Sequence, residues 1–177
     1  MPEQPLLVTD RLHLRPFSLS DAAHVQALAG ERAIAETTLL IPPPYGDGVA
    51  ETWIATHQPQ FRDGRLVNYA ITLRPDGHLI GAVGLVIVRV HDRAELGYWI
   101  GTRWWNRGFA TEAARAIIRY GFDDLGLHRI EAEHFARNPA SGRVMLKCGM
   151  RYEGRSLQAV KKWGIYEDID RYGLIHP

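Results

Sequence analysis

The segment from Trp104 to Arg115, with the sequence WWNRGFATEAAR, constrains the fold of this chain more than any other segment. An apolar run of strand character ends near Gly101, just before it, and an apolar stripe at helical spacing follows it. The stripe consists of Ala110, Ala113, Ala114, Ile117, Ile118 and Phe122. A strand that leads directly into a helix leaves the first helical N–H groups without intrahelical partners. Because those groups and the helix dipole favour bound phosphate, we predict a phosphorylated cofactor at this point.

Three residues in this segment have the chemistry of a phosphate site. Gly108 lets the backbone approach a ligand closely, Asn106 is suited to cap the first helical turn, and Arg107 adds a positive charge. The Lys-Ser or Lys-Thr of a P-loop and the G-x-G-x-x-G of dinucleotide folds are both missing, which argues against those two sites. A glycine before an amphipathic helix is also common without any ligand, and the local sequence leaves that interpretation open.

Apolar periodicity and turn residues predict seven strands and about four helices. The predicted strands are residues 11–16, 66–73, 79–90, 95–100, 128–135, 151–160 and 166–174. The predicted helices are residues 21–29, 49–62, 109–125 and 140–148. The strand 95–100, the helix after it and the strand 128–135 form a crossover, which makes those two strands parallel within a mostly antiparallel sheet. We therefore predict an α+β fold with a mixed, mostly antiparallel seven-stranded sheet.

Length and composition narrow the class of protein further. A chain of 177 residues suits one domain, which we predict to span residues 1–177. With 21 basic and 20 acidic residues, no global charge favours nucleic acid, and no apolar run reaches membrane-spanning length. A single cysteine, Cys148, excludes an internal disulfide, and no secretory signal is evident. We expect a cytoplasmic protein that binds neither nucleic acid nor membrane.

Further motifs flank the central segment. The run Glu95–Gly101 (ELGYWIG) precedes it, and Asn138–Ser141 (NPAS) and Leu146–Met150 (LKCGM) follow it. In this order the motifs resemble those of the GNAT superfamily of acetyl-CoA-dependent N-acetyltransferases, and most closely its ribosomal-protein-alanine N-acetyltransferase branch. Trp105 stands where the superfamily more often has Gln or Arg; the named branch often has Trp there too. The resemblance covers nearly the whole chain.

The resemblance implies a sheet whose two central strands splay apart, with the pantetheine arm of acetyl-CoA lying between them. It implies that backbone groups near Trp99, Ile100 and Gly101 meet this arm. The pyrophosphate would then meet Trp105, Asn106, Arg107, Gly108, Phe109, Ala110 and Thr111. Asn138 and Ser141 would contact the pantetheine and its sulfur, and Lys147, with Arg143, would lie near the adenosine phosphate. With Trp105 in place of Gln or Arg, pyrophosphate binding must rely on backbone amides and on Arg107.

Direct acetyl transfer to an amine needs a base for the amine and a proton donor for the leaving thiolate. The resemblance implies Glu95 as the base, directly or through water, and Ser141 as the donor. The alternatives are a surface acid balancing Arg93 or Arg103, and a helix cap. An oxyanion donor is expected among the backbone N–H groups near Trp99 or Ile100. Cys148, with His128 or His134 as base, is a weaker candidate because its setting is apolar. No histidine spacing indicates a metal site.

The acceptor is the least constrained part of the prediction. A protein N-terminal α-amine, of the ribosomal-protein type, is our first hypothesis. A polyamine, amino acid or aminoglycoside is the alternative, favoured if Glu31, Glu36, Asp47 and Glu51 line the acceptor site. A non-catalytic sensor that holds CoA, or that displays Pro42–Tyr45 to a partner, is a third hypothesis. Aromatic candidates for the acceptor site are Tyr45, Trp53, Trp163 and Tyr166, with His13, Glu36 and Asp168 as further polar candidates. The chain is expected to be a monomer or homodimer.

Overall fold

A computed structural model describes residues 3–176 and contains one sheet flanked by helices. The strands are β1 (Leu7–Val8), β2 (Leu12–Pro16), β3 (Leu66–Leu73), β4 (Leu79–Val88), β5 (Arg93–Ile100), β6 (Arg129–Phe135), β7 (Arg151–Lys162) and β8 (Ile165–Ile175). The helices are α1 (Ala22–Ala29), α2 (Arg32–Thr37), α3 (Val49–Ala55), α4 (His57–Arg62), α5 (Phe109–Asp123) and α6 (Pro139–Lys147). None of these helices is long and apolar enough to cross a membrane.

The predicted fold class is confirmed. The sheet order is β1-β2-β3-β4-β5-β6-β8-β7, and each neighbouring pair is antiparallel except β5 and β6. The strand count was one too low, because β1 has only two residues and so carries no alternation to detect. The crossover through α5 places the parallel pair in the middle of the sheet, as predicted.

The helix count was also too low. The six-residue α2 is too short for a periodic signal, and the predicted helix 49–62 is divided at Thr56 into α3 and α4. Pro59 explains the division, because a proline inside a continuous helix has no N–H to donate and its ring clashes with the carbonyl four residues earlier.

The central strands separate along their length. β5 and β6 pair only where Arg93–Glu95 faces Arg129–Glu131, and beyond Glu95 no pairing links them. The splayed arrangement predicted from the resemblance is confirmed. A gap bounded by two strand edges has unused N–H and C=O groups on its sides, which is a binding site for an extended ligand.

Two apolar clusters hold the sheet between its helices. The larger cluster packs α5 against β2, β4, β5 and β6 and includes Leu85, Ile117 and Ile130, none of them accessible to solvent. Gly121 lets α5 lie close to the sheet, since a Cβ there would come within 2.9 Å of Ile130 Cδ1. The smaller cluster packs α1 and α3 on the opposite face, around Val25 and Ala82. The gap between β5 and β6 opens between these two packed regions.

Candidate active site

A cavity of about 300 Å³, here called the smaller cavity, opens where the end of β5 meets the starts of α5 and α6. Its lining contains the residues predicted for the cofactor except Gly101 and Arg107, namely Trp99, Ile100, Trp105, Asn106, Gly108, Phe109, Ala110, Thr111, Asn138, Ser141 and Lys147. Arg143 also lines it. The tertiary structure thus brings together residues that lie up to 48 positions apart, between Trp99 and Lys147.

The start of α5 presents backbone N–H groups to this cavity. Gly108 is the N-cap residue with a left-handed φ of 81°, and the first helical hydrogen bond runs from the N–H of Glu112 to the Gly108 carbonyl at 3.0 Å. The N–H groups of Phe109, Ala110 and Thr111 precede that bond and have no intrahelical acceptor. The prediction that Asn106 caps the helix is wrong, because Asn106 lies two residues earlier, at a φ of 60°.

Arg107 does not line the smaller cavity. Its carbonyl accepts a hydrogen bond from Arg11 Nη1 at 3.0 Å, and Arg11 also pairs with Glu112 at 2.7 Å. The Arg11 guanidinium lies 4.5 Å from the centre of the Phe109 ring. Arg11 therefore stabilises the start of α5. Its positive charge also offsets the charge of Glu112, which would otherwise repel an anion at the helix start.

Gly101 has a packing role instead of lining the cavity. A Cβ on Gly101 would lie 3.0 Å from the ring of Trp104, so the chain can turn out of β5 only with a glycine there. The next residue along, Trp105, donates its indole N–H to the Ile100 carbonyl at 2.5 Å. Trp105 therefore closes the turn with its side chain and faces the cavity at the same time.

The hydrogen-bond direction along β5 determines which backbone groups face the gap. The Gly101 N–H donates to the Ile80 carbonyl of β4 at 2.9 Å. Because successive residues of a strand direct their backbone groups to opposite sides, Trp99 shares the β4 side with Gly101, and Tyr98 and Ile100 face the gap. The expectation that Trp99 and Gly101 offer backbone groups to a ligand in the gap is therefore wrong. Tyr98, which was not predicted, and Ile100, which was, are the residues whose backbone groups face the gap.

A second cavity of about 510 Å³, here called the larger cavity, lies on the α1 and α3 side of the sheet. It is roofed by the strap, the segment of residues 38–42 that follows α2. The linings of the two cavities share Thr37, Thr38, Tyr98, Trp99 and Ser141. They therefore meet at the gap between β5 and β6.

Glu95 lies in the larger cavity, at the last paired position of β5 before the strands separate. It takes part in none of the ion pairs found within residues 3–176, and Arg93 instead pairs with Glu131. Glu95 therefore forms no ion pair with Arg93 or Arg103 among these residues. Burial raises the pKa of the Glu95 carboxyl above its usual range, and the nearby carboxylates of Glu133 and Glu131 raise it further. The charges of Arg171 and Arg93 lower this pKa in part.

Ser141 contacts Tyr98 where the cavities meet. The two hydroxyl oxygens are 2.8 Å apart. The Tyr98 hydroxyl also donates a hydrogen bond to the Ser141 carbonyl, with 3.0 Å between the two oxygens. Burial raises the pKa of Tyr98 well above its usual range, so the phenol stays protonated. No side-chain cap bond is found at the start of α6, which removes helix capping as the role of the Ser141 hydroxyl. Sequence reasoning missed Tyr98, although a hydroxyl at an otherwise apolar core position of β5 was a usable signal.

With this geometry in view, comparison with known proteins decides the family. Residues 11–151 match the family model described as an acetyltransferase (GNAT) domain. The chain belongs to the GNAT acetyltransferase family. It is therefore an acyltransferase that uses acetyl-CoA, as predicted.

Individual relatives agree with this family. The chain is 33% identical over 176 residues to the uncharacterized N-acetyltransferase YoaA of Bacillus subtilis, covering 98% of each protein. Its fold is similar to that of a RimL ribosomal alpha-N-protein acetyltransferase in complex with coenzyme A, with a TM-score of 0.89, 18% identity and coverage of 97% of this chain and 98% of the other. It is also similar to a spermidine N-acetyltransferase from Vibrio cholerae, with a TM-score of 0.80, 23% identity and coverage of 94% and 96%.

The aromatic residues proposed for the acceptor site of this acetyltransferase divide into two groups. Tyr45 and Trp53 line the larger cavity. Trp163 and Tyr166 lie near the turn between β7 and β8, are mostly exposed and line neither cavity. The three polar candidates also line neither cavity: His13, Glu36 and Asp168.

Cys148 is placed as an inert thiol. Burial raises its pKa to about 11, and its sulfur packs beside the apolar core and lies 3.8 Å from the Thr111 carbonyl. Among residues 3–176, neither His128 nor His134 forms a hydrogen bond with this sulfur, and Nδ1 of His134 bonds the Phe135 carbonyl at 2.7 Å. Among residues 3–176, no three His, Cys, Asp or Glu side chains cluster as metal ligands would.

Proposed function

We propose that this acetyltransferase modifies the N-terminal α-amine of a protein, of the ribosomal-protein-alanine type, as one cytoplasmic domain spanning residues 1–177. The observation that carries the proposal is the meeting of the two cavities at Tyr98 and Ser141, with Glu95 in the larger cavity. A donor and an acceptor that enter from opposite faces of a split sheet meet there, beside a base and a hydroxyl.

The smaller cavity has the features that acetyl-CoA requires. The pyrophosphate of acetyl-CoA would accept hydrogen bonds from the N–H groups of Phe109, Ala110 and Thr111. The dipole of the 15-residue helix α5 would stabilise its negative charge. The pantetheine arm would lie in the gap and pair with the backbone of Tyr98 and Ile100. Lys147 and Arg143 line the outer part of the cavity, where they would meet the adenosine phosphate.

Glu95 and Ser141 supply the base and the proton donor of the proposed reaction. Acetyl-CoA supplies the acetyl thioester. Glu95 accepts the proton of the amine as the new N–C bond forms, and the C–S bond breaks with both electrons going to sulfur. Ser141 donates its hydroxyl proton toward that sulfur and recovers a proton from solvent, so that CoA leaves as a thiol. The Ile100 N–H faces the gap and is our candidate for the oxyanion donor.

The single base favours an α-amine over a lysine side chain. An α-amine has a pKa of about 8 and lysine about 10.4, so the neutral form of an α-amine costs about 3 kcal/mol less at neutral pH. Glu95, with a pKa raised above that of an ordinary carboxylate, is suited to a proton of this acidity. A weakly basic amine is therefore the acceptor that this site deprotonates most readily.

The test is acetyl transfer to a peptide that carries both kinds of amine. An unblocked hexapeptide with Ala at its N-terminus and one internal Lys is incubated with acetyl-CoA, and CoA thiol release is followed. Mass spectrometry is expected to place the acetyl group on the α-nitrogen, and the N-formylated peptide is expected to be inert. Acetylation of the lysine in both peptides would contradict the proposal. Tight binding of acetyl-CoA without thiol release on any amine would favour the sensor hypothesis.

A further inference from the structure

The acidic residues of the larger cavity are confined to one end. Of the residues that line it, only Glu95 and Glu133 are acidic, and both lie beside the gap between β5 and β6. An ammonium group in the larger cavity can therefore pair with a carboxylate of the lining only beside the gap between β5 and β6. This distribution fits an acceptor with one amine.

The acids that would indicate a polycationic acceptor face other partners. Glu31 accepts a hydrogen bond from the Thr102 hydroxyl, Glu36 pairs with Arg32 at 2.6 Å, and Asp47 accepts from Gln26 at 2.8 Å. Glu51 is exposed on α3. None of the four lines the larger cavity. The condition that would have favoured a polyamine is thus not met.

The wall away from Glu95 is aromatic and aliphatic. Trp53 is held edge-on by Phe17 at 5.1 Å and by His57 at 4.5 Å between ring centres. His57 is neutral, since burial lowers its pKa to about 4. Ile41 and Tyr45 pack in the same apolar cluster as Trp53 and also line the cavity.

A second ammonium group against this wall would be poorly compensated. Removing an ion from water without a paired charge costs more free energy than a cation–π contact with Trp53 returns. An apolar group of the same size gains free energy there, because its surface is removed from water. The wall therefore selects against a second charge and in favour of an apolar substituent.

We infer that the acceptor of this enzyme is a primary monoamine that carries a bulky apolar or aromatic group next to its amine, with the amine at Glu95 and the apolar group against Trp53. The inference rests on the proposed acetyl transfer to an α-amine, and it replaces alanine at that N-terminus by a residue with a larger apolar side chain. A free monoamine and a peptide with an apolar N-terminal residue share this chemistry. In both, the amine nitrogen displaces the CoA sulfur from the acetyl carbon and loses one proton to Glu95.

The test compares kcat/KM for matched acceptors at saturating acetyl-CoA. We expect phenylethylamine to exceed ethylamine and spermidine by about 10-fold or more, in line with the discrimination that apolar pockets achieve. Hexapeptides that begin with Phe or Ala distinguish a protein N-terminus from a free amine as the acceptor. A protein N-terminus is indicated if the kcat/KM ratio of the Phe peptide to the Ala peptide exceeds that of phenylethylamine to ethylamine. Spermidine as the best acceptor would overturn the inference while leaving the proposed transfer intact. If no amine releases thiol although acetyl-CoA binds, the proposed transfer fails and the inference fails with it.

A matched pair of tryptophan variants locates the apolar contact. Trp53→Ala is expected to lower kcat/KM for phenylethylamine about 10-fold and for ethylamine less than about twofold. Trp163→Ala, at an exposed site outside both cavities, is expected to change neither value. Equal losses for both amines in Trp53→Ala would contradict the assignment.

A second variant, which fills part of the larger cavity, tests the inference even if Trp53→Ala does not fold. Gly97 lines the larger cavity between Glu95 and Trp99, and a Cβ there would meet no atom within 4 Å. Gly97→Leu is therefore expected to fold normally and to lower kcat/KM for phenylethylamine more than for ethylamine. Gly46→Leu is its control, since a Cβ on Gly46 also meets nothing and Gly46 does not line the cavity. An unchanged ratio of the two amines in Gly97→Leu would overturn the inference.

Discussion

At the scale of single residues, the proposed chemistry of this acetyltransferase depends on Glu95, Tyr98 and Ser141. Glu95 is not neutralised by an ion pair, although Arg93 is two residues away, because Arg93 pairs with Glu131. Its carboxylate is therefore destabilised by desolvation and by the acidic neighbours Glu133 and Glu131. A carboxylate in such surroundings is a stronger base than one on the surface.

Glu95→Gln tests this role through the pH profile. The raised pKa places the acid limb of kcat/KM above about 4.3, the ordinary value for Glu, and activity rises as Glu95 loses its proton. The variant is expected to lose this limb and about 10²-fold in rate, the lower end for a general base, because an α-amine is partly neutral already. An unchanged rate across the pH range would exclude Glu95 as the base.

Stability provides an independent control for the same variant. A carboxyl with a raised folded pKa destabilises the fold once it ionises, as the pH rises past its unfolded pKa. Glu95→Gln is therefore expected to have a melting temperature at pH 7 equal to or above that of the parent protein. The exposed Glu51→Gln serves as the matched variant with no expected change in rate.

The pair formed by Tyr98 and Ser141 gives a second prediction at the residue scale. Tyr98→Phe keeps the ring and removes the hydroxyl that lies 2.8 Å from Ser141 Oγ, so the serine loses its orientation. We expect about a 10-fold loss of kcat, with the KM for acetyl-CoA unchanged, and a similar or larger loss in Ser141→Ala. The double variant is expected to lose little more than Ser141→Ala alone, because the two hydroxyls act as a unit. Fully additive losses would show that they act separately.

At the scale of elements, the start of α5 combines a backbone requirement with a ligand requirement. Gly108 has a left-handed φ of 81°, and its position at the lip of the smaller cavity leaves room for a ligand next to the helix N–H groups. Arg11 and Glu112 brace the same turn from outside. The element is therefore held in its binding geometry before any ligand arrives.

Gly108→Ala separates these two requirements when it is compared with Gly126→Ala. Both glycines have left-handed φ values, 81° and 64°, so each substitution is expected to lower the free energy of unfolding by about 1 kcal/mol. Only Gly108→Ala is expected to weaken acetyl-CoA binding, by about 10-fold, because Gly108 lines the smaller cavity beside the free N–H groups and a methyl group there would also press on Arg11, 3.4 Å away. Isothermal titration calorimetry and denaturant unfolding measure the two effects. Equal acetyl-CoA affinities in both variants would contradict a binding role for this turn.

At the scale of the whole molecule, the β7–β8 hairpin holds the strap over the larger cavity. Lys162, only 5% exposed, donates from Nζ to the carbonyls of Leu39 at 3.1 Å and Ile41 at 2.9 Å. Arg137 adds a bond to the Glu36 carbonyl at 2.8 Å. The roof of the larger cavity is thus fixed by residues more than 100 positions away in the chain.

Lys162→Met tests this connection. The variant keeps most of the side-chain volume but leaves two carbonyls without their charged donor, each bond being worth about 1.5–3 kcal/mol. We expect faster amide hydrogen exchange in residues 38–42 and about a 10-fold rise in the KM of the amine acceptor. Lys161→Met, on the exposed side of the same strand, is the control. Unchanged exchange in the strap would show that it is held by other contacts.

The sequence by itself determined the elements that depend on local patterns. The strand periods, the helix stripe after Gly108 and the glycine at a left-handed position are properties of short segments, and so β5, α5 and most of the smaller cavity were predictable. The elements α2 and β1 were not, because two to six residues carry too little periodic signal.

Only the tertiary structure decided which side chains meet. Tyr98 and Ser141 are 43 positions apart, and Arg107, whose carbonyl accepts a hydrogen bond from Arg11, does not line the smaller cavity. The four acids near the N-terminal helices pair elsewhere or stay exposed, and the acceptor wall becomes apolar. Residue type states what a group can do, but its partner and its exposure to water depend on packing between distant segments. Those two factors decide the charge of the site and hence the acceptor it takes.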